Sequence, residues 1–334
     1  MNNPAQEAKL ERRQAWGNYW QQGALHSLPT SYAGNYRGAV AEFWKSIASA
    51  LNSDQRVLDI GTGNGSLPSL FHSLLETNCP RIDAVDLADQ LAPAWHQALP
   101  EGTRDRTVFH KETQAEQLPF PDESFDLVCS QYGIEYSDLP AALTEVARVL
   151  RAGGRLALVM HHTDSRLALV ATEELKWSTW LASEGDFLLK AREIYPWLAL
   201  VAAGRQAELI GNEDANNARA AFNQAQTLMT QAIESSPVPD LLHEARDMVA
   251  SHIDAILSGR ATADQASQAS LAWQEALKSS AFRQRELITH ALDETSFQEL
   301  LGKLAALGFD IEHAQALSED DGILMGWSLI ASRS

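Results

Sequence analysis

Apolar residues fall along this chain in two rhythms. Short stretches are apolar almost without a break, which is the pattern of strands buried on both faces. Longer segments are apolar at every third or fourth position, which is the pattern of helices with one buried face. On that basis Val57–Ile60, Ile82–Leu87, Thr107–His110, Phe125–Ser130 and Arg155–His161 are expected strands. Helical spacing follows the first of them in Leu67, Leu70, Phe71, Leu74 and Leu75. It is expected again across LAPAWHQAL, with Asp89 available as a cap, and across Leu139–Leu150, which Gly153-Gly154 stops. Ahead of the first strand, residues 1–52 read as helix, loop, helix. There Leu10, Arg13, Trp16, Tyr19 and Trp20 crowd one region, and Gly38–Leu51 returns to helical spacing.

From Thr163 to about Asp293 the β-branched runs vanish and Ala, Leu, Glu, Gln and Arg dominate. Breaks near Gly185, Gly211, Pro237 and Gly259 divide this block into about five helices, with Asp186, Asp214 and Thr262 as N-caps and Thr262-x-x-Gln265 as a capping box. Ser296-x-x-Glu299 is read as a second capping box, opening a helix to Leu307 that Gly308 ends. FDIEHAQAL and ILMGWSLIAS then read as two closing strands. Strands on both sides of a helical block make it an insertion into an α/β domain. The expected fold is a doubly wound, Rossmann-like α/β sheet with an all-helical inserted cap. Its parts are a helical lid segment (1–54), the first part of the core (55–162), the insertion (163–293) and the completion of the core (294–334).

Composition narrows the partners. The chain has 334 residues, 45% of them apolar, and a formal net charge of −18. So acidic a protein repels phosphate backbones and has no basic cluster to offset this, so no nucleic-acid partner is expected; a neutral or cationic small molecule suits it better. Two cysteines exclude a disulfide framework. The N-terminus lacks the apolar core of a secretory signal, and the apolar segment around Trp197–Ala203 is far shorter than the ~20 residues a bilayer requires. A cytoplasmic protein without membrane insertion is the expectation.

The candidate chemistry centres on VLDIGTGNG, Val57 to Gly65. A buried strand that ends in glycines at 61, 63 and 65 and runs into a helix lets backbone approach a ligand closely, as doubly wound sheets do for nucleosides. Asp59 lies inside the strand, where a carboxylate is costly unless paired. Asp86 closes the second strand 21 positions beyond Gly65, the spacing of a carboxylate that accepts ribose hydroxyls; capping the next helix is its other reading.

Four segments in order, VLDIGTGNG, DAVDL, AEQLPFPDESFDLV and EVARVLRAGGRLAL, make the chain resemble the class I S-adenosylmethionine-dependent methyltransferases, nearest to the ubiquinone and menaquinone biosynthesis subgroup. The likeness covers residues 55–162, with a weaker match at 295–333, and implies a seven-stranded sheet. It also implies that Gly61 and Gly63 pack against the methionine part of the cofactor while Asp59 organises their loop and helps hold the ammonium. Asp86 would bind the ribose, with Leu87 beside the adenine. Many relatives carry an Asp where this chain has Gln114, whose amide carbonyl can still accept from the adenine amino group. Ala115 would offer its backbone N–H, and Ser130 and Gln131 would line the site below the methyl group. Tyr32 and Tyr36 are either part of an aromatic plug on the core or a lid over the ligand, and in the second reading Tyr36 joins the cofactor-binding set.

Methyl transfer from a sulfonium needs positioning and exclusion of water more than chemical catalysis. Where the acceptor must lose a proton, His161, His162, Glu135, Tyr132 and Tyr136 stand at the strand ends, and His161, Glu135 and Tyr132 are the catalytic candidates. Alternation along a strand turns one of His161 and His162 away from the site, and no spaced ligand set accompanies them, so no metal is expected. Trp177, Trp180, Tyr195, Trp197, Phe222 and Trp273 in the insertion read as core. A minority facing the cleft would favour an apolar or aromatic acceptor, and the same surface could instead form a homodimer. The rival readings are a nicotinamide-nucleotide oxidoreductase, against which Ser66 stands where that pattern wants Gly or Ala, and a non-catalytic S-adenosylmethionine-binding protein.

Overall fold

The computed structural model describes residues 4–27, 34–182 and 187–334, with side chains from Lys9 onward; Tyr32 and Asp186 lie outside them. The chain divides into two compact units, one of residues 1–169 and 286–334 and one of residues 170–285.

Seven strands build the first unit: β1 (Arg56–Ile60), β2 (Arg81–Val85), β3 (Thr107–His110), β4 (Phe125–Gln131), β5 (Leu150–Met160), β6 (Phe309–Ser318) and β7 (Leu324–Arg333). They form one sheet in the order β3-β2-β1-β4-β5-β7-β6. β1 to β5 pair in parallel, and β7 runs antiparallel to both β5 and β6. The strands have so few polar residues because each buries both faces. Leu58, Val128, Leu156 and Leu158 enter one core, while their neighbours Val57, Leu127, Cys129, Ala157 and Val159 enter the other. The doubly wound sheet expected from the sequence is thus present.

Around it lie α1 (Pro4–Gln21), α2 (Gly38–Ala48), α3 (Ser66–Leu75), α4 (Ala94–Gln97), α5 (Glu101–Arg104) and α6 (Leu139–Val149). The second unit holds α7 (Arg166–Ala182) from Val170 onward, α8 (Phe187–Ala202), α9 (Glu213–Ser235), α10 (Asp240–Leu257) and α11 (Ala263–His290) as far as Arg285, and α12 (Glu294–Ala306) belongs to the first unit. Trp177, Tyr195 and Phe222 sit in a core of that unit, with Trp180 and Trp273 packed against it. Among the described residues no helix is long and apolar enough to cross a membrane.

Several boundaries differ from the sequence reading. The helix expected across LAPAWHQAL is reduced to the single turn α4, opened by Pro93 and cut off before Pro100, beyond which α5 is a separate turn. Asp89 caps neither and instead faces Arg13 at 3.6 Å. Asn212, not Asp214, caps α9 through the Ala215 N–H. Asp293, not Ser296, caps α12, so that helix opens earlier than expected. Thr262 and Gln265 do exchange their two capping hydrogen bonds at 2.9 and 3.1 Å. β5 begins at Leu150 and carries the double glycine inside it, where the pairing with β4 slips from Phe125–Leu150 to Leu127–Arg155.

Candidate functional site

The strand order reverses between β1 and β4, and a pocket opens there at the carboxyl ends of β1, β2 and β4. That is where an open α/β sheet has room for a ligand, because the connections leave on opposite sides. Its floor is the turn after β1. Gly61 and Gly63 have φ of 70° and 53°. A Cβ on Gly61 would stand 2.7 Å from the Gly133 Cα, and one on Gly63 would run into the Trp20 ring at 2.5 Å. Only glycine combines that backbone with those approaches. The Gly61 and Thr62 N–H groups both donate to the Val85 carbonyl at 3.0 Å, which ties the turn to the end of β2.

Asp86 sits one residue past β2 and lines the pocket. Its Oδ2 accepts from the Gly63 N–H at 2.7 Å and its Oδ1 from the Ala88 N–H at 2.8 Å. Burial pushes its pKa up while these two amides pull it down. Each oxygen keeps a second lone pair, so the carboxylate can still accept hydroxyls from a ligand. Leu87, Thr113, Gln114, Ala115 and Glu116 continue this wall. The Gln114 side-chain carbonyl accepts from Lys9 Nζ, which leaves it one lone pair and its two amide N–H groups for a ligand.

Asp59 and Ser130 lie beneath the surface rather than on it. Asp59 is 2% exposed, and burial lifts its pKa to about 7 against the pull of the Thr62 hydroxyl. Ser130 Oγ donates to the Ile60 carbonyl at 2.7 Å and accepts from the Ile134 N–H at 2.9 Å, clasping the ends of β1 and β4 together. Their placement suits loop organisation, whereas Asp86, Leu87, Gln114 and Ala115 are on the wall itself.

Aromatic residues also line the pocket: Trp16, Trp20, Tyr36, Tyr132 and Tyr136. Trp16 stacks on Trp20 with centroids 5.6 Å apart and meets the edge of Tyr136 at 5.8 Å. Tyr36 Oη and Ser66 Oγ are 2.9 Å apart. Tyr132 holds φ of 51°, donates its hydroxyl to the Met325 carbonyl at 2.9 Å, and lies flat on His161 at 4.3 Å. His161 therefore sits behind Tyr132 instead of on the wall. Burial pushes its pKa down to about 3, leaving a neutral ring whose Nδ1 has no partner among the described residues. His162 turns the other way and stacks on Trp327 at 4.5 Å. Glu135 is also behind the wall: Oε1 accepts from the His161 N–H at 3.0 Å, Oε2 is unpartnered, and burial lifts the pKa to about 7. Gln131, the last residue of β4, is on the wall and 6% exposed. Its carbonyl accepts from the Trp44 indole and its amide nitrogen is buried without a partner, a state that costs ~1–3 kcal/mol unless something fills it.

Lys9, Arg12, Trp16 and Trp20 line the pocket but were not among the sequence candidates. Their signal was available: positions 9, 12, 16 and 20 fall on one face of a helix. Arg12 donates to Glu286, to the Tyr136 carbonyl and, at 3.0 Å, toward His290 Nε2. His26, Ser27, Thr62, Ser66, Thr113 and Glu116 also line the pocket, and sequence spacing did not single them out.

Comparison with known proteins points the same way as this geometry. Residues 58–158 match the family profile described as "Methyltransferase domain". The chain is similar to the "Uncharacterized methyltransferase YcgJ" of Bacillus subtilis, 38% identical over 111 residues that cover 33% of this chain and 42% of that protein. It is also similar to the ubiquinone/menaquinone biosynthesis C-methyltransferase UbiE of Hahella chejuensis, 30% identical over 164 residues, 48% of this chain and 66% of the relative. The chain thus spans between about two fifths and two thirds of the length of these curated relatives. Among solved structures, the Burkholderia thailandensis 1,6-didemethyltoxoflavin-N1-methyltransferase aligns over 100% of this chain and 92% of its own, at 13% identity and a TM-score of 0.47.

Proposed function

We propose, for a chain whose residues 58–158 form a methyltransferase domain, that it binds S-adenosylmethionine and transfers the methyl group to an apolar or aromatic small molecule, at oxygen, nitrogen or carbon. The observation that carries the reading is the pairing of Asp86 with the glycine turn. A carboxylate with free lone pairs and the Gly61 backbone of a positive-φ turn line one pocket, and the carboxylate holds that turn through the Gly63 N–H. That donor set fits an adenosyl ligand. Asp86 would accept the ribose hydroxyls, Leu87 and Ala115 would flank the base, and Gly61 would allow the amino-acid part to approach.

The bound cofactor would supply a methyl group already activated by positive charge on sulfur. What the chain adds is placement and dryness. The rings of Trp16, Trp20 and Tyr136 roof the pocket, and a net charge of −18 favours a cationic ligand. Glu135 can hold a proton near neutrality behind the wall, but it is set back from the cavity.

Calorimetric titration with S-adenosylmethionine, S-adenosylhomocysteine and NAD tests this directly. Binding of the first two but not NAD is expected, and Asp86→Asn should weaken it about tenfold to a hundredfold, the loss of hydrogen bonds to a charged acceptor. Binding of NAD alone would restore the oxidoreductase reading. Binding without label transfer from methyl-labelled cofactor to any of a panel of aromatic phenols, amines and quinols would favour the non-catalytic one.

A further inference from the structure

Resting on that reading, we propose that Gln131 recognises the methyl acceptor. Its side-chain amide donates a hydrogen bond to a neutral ring nitrogen or carbonyl oxygen of a flat aromatic compound held among Trp16, Trp20, Tyr36, Tyr132 and Tyr136. The pocket has two chemistries. Asp86, Thr113, Gln114 and Glu116 supply polar groups suited to a nucleoside, and five aromatic rings line the same pocket.

Among the rings, several polar groups are already engaged. The Tyr132 hydroxyl proton goes to Met325, Tyr36 and Ser66 are paired with each other, and Arg12 is held by Glu286, the Tyr136 carbonyl and His290. Gln131 carries a buried amide that is only half engaged. An indole N–H can only donate, so Trp44 fixes which end of the amide is the carbonyl, and the NH₂ is the end left over. That NH₂ is buried and has no partner among the described residues, and Gln131 is a residue of the cavity lining.

A buried donor selects for an acceptor atom and against a protonated amine at the same place, because either an unmet N–H or a clash of donors would result. The rings select for flatness. Tyr132 is fixed for that task at both ends, by its hydroxyl and by the face-to-face contact with His161, whose planes differ by 5°. Trp44, wholly buried in α2, is the positioning residue for the amide.

Equilibrium dialysis of the full chain saturated with S-adenosylhomocysteine tests this with quinoline, coumarin and naphthalene. The three share one bicyclic outline, and naphthalene alone lacks an acceptor atom. Quinoline and coumarin should bind at least about tenfold more tightly than naphthalene, the discrimination of one buried hydrogen bond. Gln131→Leu should erase the preference while leaving naphthalene within about twofold, and Trp44→Phe, which keeps the amide but frees it, should reduce the preference about threefold. Should Gln131→Leu not fold, judged by its melting curve, Gln131→Met and Trp44→Phe carry the test. Equal binding of all three rings, binding of none, or a preference that survives the loss of Gln131 overturns the proposal. Failure of the wild type to bind S-adenosylhomocysteine instead overturns the cofactor reading on which it rests.

Discussion

Glu135 is a carboxylate kept where water cannot reach it. Its Oε1 takes the His161 N–H and its Oε2 takes nothing, so burial outweighs the hydrogen bonds and lifts the pKa from 4.5 to about 7. A pKa raised on folding means that the folded chain holds its proton more tightly than the unfolded one. Stability from this group is therefore complete below about pH 4.5, falls as pH rises, and is gone above about pH 7. The span corresponds to on the order of 3 kcal/mol. Glu135→Gln keeps the acceptor for His161 and never ionises. It should match the wild type in urea midpoint at pH 4.5 and exceed it at pH 8. Asp59, also lifted to about 7, titrates in the same window, so the variant should keep part of the wild-type slope. A variant less stable than the wild type at pH 8 would show that the carboxylate is ionised and paired in the fold.

Among the elements, α1 brings most to the site that strand patterns could not. Lys9, Arg12, Trp16 and Trp20 share its inner face, and Trp20 lies against the Cα of Gly63. Arg12 fastens this helix to residues far along the chain, Glu286 and His290 at the end of α11, and to the Tyr136 carbonyl. Arg12→Ala removes these ties without opening the sheet's core. It should speed release of S-adenosylhomocysteine about tenfold in stopped-flow displacement while shifting the melting temperature little, because partly exposed ion pairs contribute ~1 kcal/mol or less. An unchanged release rate would mean that α1 is a packed plug and not a gate. The same helix shows where sequence ceases to be legible. The apolar runs of β1, β2 and β4 and the glycines after β1 announce themselves, since burial on two faces and a positive φ each leave a local mark. A face bearing Trp16 and Trp20 announces only that it is buried, not what it covers. Asp86 could be found by spacing. The partner of the Tyr132 hydroxyl could not, because Met325 lies 193 positions away and only the closing of β7 against β5 brings it there. Pro93 was visible in the sequence, and the helix expected across it overlooked its effect.

At the scale of the whole molecule, the chain has cores of two kinds. The sheet divides its apolar side chains between two layers, and residues 170–285 close a further core around Leu181, Tyr195 and Leu242 that shares no residue with either. The pocket belongs to the first unit. A ligand that binds only the folded form stabilises what it touches by RT ln(1 + [L]/Kd), about 2.7 kcal/mol at a hundredfold excess over Kd. Separate cores allow that energy to stay local, since openings in one unit need not break contacts in the other. Hydrogen exchange with and without S-adenosylhomocysteine should therefore slow by about a hundredfold in the amides of β1, β2 and β4 that open only with the whole unit. Amides of α8, α9 and α10 should exchange at the same rate in both samples. Equal slowing in those helices would show that the insertion and the sheet unfold as one body. Slowing there that appears only when coumarin is added would assign the insertion to the acceptor and not to the cofactor.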